Sequence, residues 1–153
     1  NNLIWAGNPA QILTLNILFL CVGNSARSQI AEGLAKEMFS KKFNVESAGS
    51  RPAGFVHSGA INTMNEIGID ISSQNSKSIK DLDDKFLEKL DFVITLCAEE
   101  VCPVFDNNVK RINWPNPDPV IEAASMNQEK KLFRDTRDNI FSMLKKFSTE
   151  NIF

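Results

Sequence analysis

Cys21-Val22-Gly23-Asn24-Ser25-Ala26-Arg27-Ser28 sets a thiol and a guanidinium six positions apart, with a short polar turn between them. Such a turn, leading from a strand into a helix, can wrap its backbone N–H groups around an oxyanion, and the helix N-terminus adds favourable dipole charge. Gly23 and Asn24 are expected to take the positive φ values of a tight cradle. Arg27 can grip two oxyanion oxygens in bidentate fashion. At the base, the helix start, Arg27 and the Ser28 hydroxyl would hold Cys21 as a thiolate, since surroundings of this kind bring a thiol pKa down to about 3.5–7.5. The expected chemistry is attack by Cys21 on a tetrahedral oxyanion bound by Val22, Gly23, Asn24, Ser25, Ala26, Arg27 and Ser28. The alternative is an inert cysteine at a strand end. The glycine, the arginine and the helix start, each where the chemistry wants it, weigh against that.

The elements that must position these groups are readable from periodicity. Asn16 to Val22 is a continuous apolar run, suited to a strand buried on both faces. After Ser28, Ile30, Ala31, Leu34, Ala35, Met38 and Phe39 form one helical stripe. Strand, polar turn and helix open a βαβ unit. Phe43 to Ser47 predicts a second strand stopped by Ala48-Gly49-Ser50. Ser58 is placed to cap a helix carrying Ala60, Ile61, Met64 and Ile67 and ended by Gly68. Ser78-x-x-Asp81 has the form of a capping box leading into Ile79, Leu82, Phe86 and Leu90 at helical spacing. Phe92 to Leu96 predicts another buried strand, with Cys97 at its C-terminal end. Ala98 to Val120 reads as one irregular stretch punctuated by Pro103, Pro115, Pro117 and Pro119, and a loop that long is usually functional. Ser125-x-x-Gln128 starts the last helix, with Leu132, Thr136, Ile140, Leu144 and Phe147 on its buried side. This alternation predicts an α/β domain with a mostly parallel sheet, active at the carboxyl ends of its strands.

Composition agrees with that class and excludes others. The 153 residues, 42% hydrophobic and 24% charged, suit one globular domain. A net charge of −2, with Lys and Arg scattered among the acids, leaves no basic footprint for nucleic acid. The apolar run Ile12 to Val22 is too short to span a bilayer, so no membrane partner is expected. No Lys or Arg precedes Arg27, unlike the basic start of a secretory signal. Three cysteines, an odd number, point to reactive thiols in a reducing compartment, the cytoplasm, rather than to a disulfide framework. Residues 16–149 are expected to form a single catalytic domain. Residues 1–15 read as an N-terminal extension or a remnant of added sequence.

The pattern resembles the low-molecular-weight protein tyrosine phosphatases and the arsenate reductases that share their fold. The likeness runs from the Cys21 loop through Ser28-Gln29-Ile30-Ala31-Glu32-Gly33, Ser47-Ala48-Gly49, Ile67 to Ser72, Val93 to Cys97 and Asn116-Pro117-Asp118-Pro119. It implies a three-layer α/β fold, a twisted four-stranded parallel sheet flanked by helices. It also implies that Asp118 is the general acid over the cradle, although Asp-Pro by itself is more often a turn.

Phosphatase and reductase share this nucleophile and acid, and the cysteines separate them. The phosphatases commonly carry a second cysteine within the loop, where this chain has Ala26, and tyrosines at the cleft mouth; this chain has no Tyr. Cys97 and Cys102 instead resemble the redox pair of the reductases. The resemblance therefore implies arsenate reduction by a disulfide relay through Cys21, Cys97 and Cys102, with phosphate or sulfate as substrate analogues. Thioredoxin is the expected reductant. Only four residues separate Cys97 from Cys102, a shorter gap than in thioredoxin-linked relatives, which keeps glutaredoxin as the alternative donor. Some such reductases bind potassium beside the loop, through residues matching Asn24, Glu32 and Ser47. The remaining acidic ligand aligns with Lys77, which is expected to pair with Glu32 and remove any potassium requirement; a solvated surface lysine is the alternative.

No metal or other cofactor is expected. A zinc site from Cys21, Cys97, Cys102 and His57 lacks the close ligand pairs such sites use. His57 reads as a surface or capping residue, plain core is the lesser alternative for Cys97, and Trp114 and Phe105 read as packing more than cleft lining. The competing functions are a phosphatase acting on phosphotyrosine or aryl phosphates, a phosphocysteine carrier and a redox sensor. Arg27 and Asp118 argue against the carrier, which must not hydrolyse its own phosphocysteine.

Overall fold

The computed structural model describes residues 14–39, 43–97, 108–120 and 123–151. Four strands, β1 Leu15–Cys21, β2 Phe43–Gly49, β3 Leu90–Cys97 and β4 Lys110–Asn116, form one sheet in the order β2-β1-β3-β4. Every pairing is parallel. The helices are α1 Arg27–Phe39, α2 Ser58–Asn65, α3 Asp84–Glu88 and α4 Met126–Glu150. Among the described residues no helix is long and apolar enough to cross a membrane.

Side chains along β1 alternate between two cores. Ile17, Phe19 and Cys21 pack with α1, α2 and α4 through Ile30, Leu34, Met64, Phe133, Ile140 and Leu144. Leu18 and Leu20 pack on the other face with Leu82, Leu90 and Val93, covered by Ile79, Phe86 and Leu87. Burial on both faces is what the unbroken apolar runs of β1 and β3 encode. The result is three layers.

From β1 the chain moves outward to β2, then returns to place β3 on the other side of β1. The strand order thus reverses between β1 and β3, and the crevice beyond their carboxyl ends is where open α/β sheets bind ligands. Cys21 and Cys97 are the last residues of those two strands.

Several local expectations need correction. The stretch Ala98–Val120 is not irregular throughout, because it contains β4. Lys110, Arg111 and Pro115 hide its periodicity, and only Trp114 and Asn116 within it are buried. Among the described residues β4 pairs with β3 alone, and a sheet edge tolerates exposed charge and proline. The cap of α2 is His57 rather than Ser58; its Nδ1 accepts from the Gly59 N–H at 2.9 Å. The His57 ring also stacks on Phe133, and a methyl group on Gly59 would lie 2.4 Å from that ring. Ser78 and Asp81 do form a capping box, but it heads only a 3₁₀ turn, Ile79–Asp81. Asp83 then caps α3 afresh by accepting from the Lys85 N–H, so side-chain capping divides one expected helix in two. On α4, Phe133 takes the buried place expected of Leu132.

Candidate active site

The sheet itself brings two thiols together. Cys21 and Cys97 are free, 2% and 1% exposed, and end neighbouring strands. The Cys97 thiol donates to Cys21, and this bond is the largest influence drawing the Cys21 pKa down from 9.0 to about 6. The Ser28 hydroxyl, 3.0 Å from the sulfur, and the Arg27 charge act in the same direction, against the opposing effect of burial. The same contact pushes Cys97 far above the ordinary thiol range, so the proton of the pair resides on Cys97. The Val22 N–H, expected in the cradle, donates to Cys97 Sγ at 3.3 Å.

Behind Cys21 lies a buried, directional hydrogen-bond network. Asn24 Nδ2 donates to Ser28 Oγ at 2.8 Å and to Ser47 Oγ at 2.9 Å. Ser28 therefore accepts from Asn24 and can donate to the thiolate. Ser47 Oγ donates to Glu32 Oε1 at 2.6 Å, and the Lys77 N–H donates to Asn24 Oδ1 at 2.8 Å. Asn24 holds a left-handed φ of 47°, which its three side-chain bonds stabilise. Gly23 does not share that conformation, contrary to expectation. The glycine that the cradle needs is Gly49, at the end of β2, where a Cβ would lie 2.5 Å from the Val22 carbonyl oxygen. The only sequence signal was a glycine inside Ser47-Ala48-Gly49, which reads equally as a strand stop.

Lys77 Nζ stands 3.7 Å from Glu32 and 3.8 Å from Glu46, so the expected pairing with Glu32 is present. Lys36 binds Glu32 as well, at 2.6 Å. Burial and the charge of Glu32 raise the Glu46 pKa.

Arg27 is 4% exposed, and its Nη1 donates to the Asn116 carbonyl at 2.8 Å. Its Nη2 lies 3.5 Å from Asp118 Oδ2, while Asp118 Oδ1 accepts from the Val120 N–H. Cys21, Val22, Gly23, Ser25, Ala26, Arg27, Asp118 and Val120 line one cleft of about 350 Å³. Asn24 and Ser28 lie behind it, fully buried. Trp114 packs edge-on against Phe147. Residues 1–13, Cys102 and Phe105 lie outside the described residues. Among those described, no group of three or more His, Cys, Asp or Glu could hold a metal ion.

A thiolate, an arginine and a carboxyl around one oxyanion-sized cleft can perform nucleophilic displacement with acid assistance. The family model for low molecular weight phosphotyrosine protein phosphatases matches residues 16–152. The chain belongs to this family. Within it, an arsenate reductase of Halalkalibacterium halodurans is 42% identical over 134 residues, covering 86% of this chain and 94% of that protein. A solved structure described as an arsenate reductase in the phosphate binding state superposes with a TM-score of 0.73 at 30% identity, over 90% of this chain and 98% of that one. A thioredoxin-dependent arsenate reductase of Corynebacterium glutamicum has a TM-score of 0.67 at 27% identity, over 90% of this chain and 64% of that one.

Proposed function

We propose that this phosphatase-family chain reduces arsenate to arsenite, with residues 16–149 acting as a single catalytic domain in the cytoplasm. The observation that carries the reading is a second free, buried thiol, Cys97, at the end of the strand paired with that of Cys21, beside a cleft that also presents Arg27 and Asp118. Hydrolysis of a phosphate ester needs one nucleophile and an acid. A second buried thiol against the first answers a different need, the removal of two electrons.

The steps follow from the positions. Arg27 and the N–H groups of the turn after Val22 hold arsenate, and the Cys21 thiolate attacks arsenic. Asp118 gives a proton to the departing oxygen, leaving a Cys21–arsenic(V) adduct. While Cys21 is a thiolate, its charge keeps the proton on Cys97. Forming the sulfur–arsenic bond removes that charge; Arg27 and the Val22 N–H then favour the Cys97 thiolate, whose proton leaves to water in the cleft or to the Asp118 carboxylate. Cys97 attacks Cys21 Sγ; the electron pair of the sulfur–arsenic bond stays on arsenic, which leaves as arsenite. The Cys21–Cys97 disulfide is next opened by Cys102, which attacks Cys97 and frees Cys21. An external dithiol protein reduces the Cys97–Cys102 disulfide. Thioredoxin is the donor favoured by the similarity to the Corynebacterium glutamicum enzyme, and glutaredoxin is the alternative. The Lys77 ammonium beside Glu32 takes the place of a bound cation, so exchanging sodium for potassium should leave turnover unchanged.

Cys102→Ser tests the relay. With thioredoxin, its reductase and NADPH, this variant should release one arsenite per enzyme and stall as a Cys21–Cys97 disulfide, located by peptide mass spectrometry. Aryl phosphate hydrolysis under reducing conditions should continue, because it needs only Cys21, Arg27 and Asp118. Undiminished multiple turnover of arsenate would remove the pair from the mechanism. Phosphate hydrolysis with no arsenite burst in the wild type would return the phosphatase as the principal activity.

A further inference from the structure

We infer that Asn139, on α4, is a positioning residue for the oxyanion grip: acting through Asn116, it sets where the Arg27 guanidinium stands over the cradle. The inference rests on the oxyanion-binding reading of that cradle.

Arg27 Nη1 donates to the carbonyl of Asn116, at the last position of β4. The ladder is irregular just before this position. Pairing of β3 with β4 runs evenly from Phe92–Lys110 to Thr95–Asn113, then shifts register before Cys97–Asn116. Pro115 falls inside the shift and has no N–H to contribute.

The Asn116 side chain supplies what the ladder lacks. Its Nδ2 donates to the Trp114 carbonyl at 2.9 Å, bridging Pro115, and its Oδ1 accepts from Asn139 Nδ2 at 2.7 Å. The two bonds are mutually dependent. With Nδ2 committed to Trp114, Oδ1 must face a donor, and Asn116 is only 2% exposed. Removing Asn139 leaves that buried oxygen unsatisfied, a larger penalty than the bond's own net worth.

Helix α4 is a suitable reference point, anchored by Phe133, Thr136, Ile140, Leu144 and Phe147. Asn139 is exposed and off that stripe, so helix packing gives no reason for an amide there. Its bond to Asn116 does. Together they extend the support of Arg27 from the strand end to the core of the long helix.

The test is calorimetric binding of inorganic phosphate to the full-length chain as wild type, Asn139→Leu, Asn139→Ala and Asn139→Gln. Losing the donor should weaken phosphate about 3–10-fold in both the Leu and Ala variants, as expected for one hydrogen bond supporting a binding group. N139Q keeps a donor on a longer arm and should recover most of the affinity. The KM for an aryl phosphate should rise in parallel while kcat changes less, since neither Cys21 nor Asp118 is altered; a general loss of stability would not produce that split. The Ala variant covers a Leu variant that fails to fold. Unchanged phosphate affinity in the Ala variant, or a Gln variant as weak as Ala, overturns the role. So does a wild type that does not bind phosphate. Phosphate binding needs no reductant and no redox pair, so a failure of arsenate turnover alone would count against the proposed reaction and not against Asn139.

Discussion

The turn of residues 22–28 and the segment 108–120 that carries Asp118 face each other across one cleft, yet they are held by different means. The turn is fastened from behind. Asn24 commits its side-chain amide to Ser28, Ser47 and the Lys77 N–H. The carbonyls of Val22, Gly23 and Ser25 accept from the backbone of Arg51, Ala53 and His57. Segment 108–120 instead ends an edge strand with a register shift, and side-chain amides and an Asp118–Val120 turn hold it. The proposed nucleophile and the N–H donors of the turn therefore rest on a buried, preorganised network, where catalytic electrostatics is most effective. Asp118, the proposed acid, rests on polar bonds nearer the surface. Damage to the first side should cost binding and chemistry together; on the second, loss of the Asp118 carboxyl should cost mainly the step that needs an acid, and loosening of Asn116, which holds Arg27, should cost mainly binding.

The largest effect expected is that of Cys21→Ser, which should abolish arsenate reduction and aryl phosphate hydrolysis alike, because a serine hydroxyl stays protonated in this setting. Either activity surviving near the wild-type rate would take Cys21 out of the mechanism. Asp118→Asn should lower kcat by about 10²–10⁴-fold, the usual contribution of a placed general acid. Phosphate affinity should change far less. Equal losses in binding and turnover would erase the contrast between the two sides.

Gly49→Ala probes the turn without touching a reacting group. The added methyl would press on the Val22 and Cys21 carbonyls from 2.5 and 2.7 Å. The expected cost is about 1–3 kcal/mol of stability, as for other overpacked sites, with phosphate binding and both activities weakened together. A thermal melt and one phosphate titration decide it, and an unperturbed variant would show the cradle to be less rigid than its contacts imply.

The mildest test is a pH profile. Alkylation of Cys21 by iodoacetamide should rise with pH through about 6 and level off above it, as the thiolate fraction saturates. Cys97→Ala removes the donor that lowers this pKa most, so the midpoint should move upward by about 1–2 units, the size of a hydrogen bond to a charged group. An unmoved midpoint would mean that Cys97 does not hold the Cys21 thiolate.

What the chain's order alone determined was local. The apolar runs of β1 and β3, the stripe of α1 and the thiol, turn and arginine of Cys21 to Arg27 lie close in sequence, so periodicity and spacing display them. Asp118 and the Lys77–Glu32 pair were legible only through resemblance to a family. The tertiary structure decided the remainder. Strand β4 was obscured because an edge strand needs no apolar alternation, while His57, legible as a surface or capping residue, is held as the cap in place of Ser58 beside the ring of Phe133, far along the chain. Gly49 owes its importance to a carbonyl of another strand, and Asn139 to an amide 23 residues away. The contact between Cys21 and Cys97 has the same origin: parallel pairing of β1 with β3 sets their ends side by side, and no spacing of 76 residues announces that. Local chemistry is written in neighbouring residues; its supports are partners that only the folded sheet brings within reach.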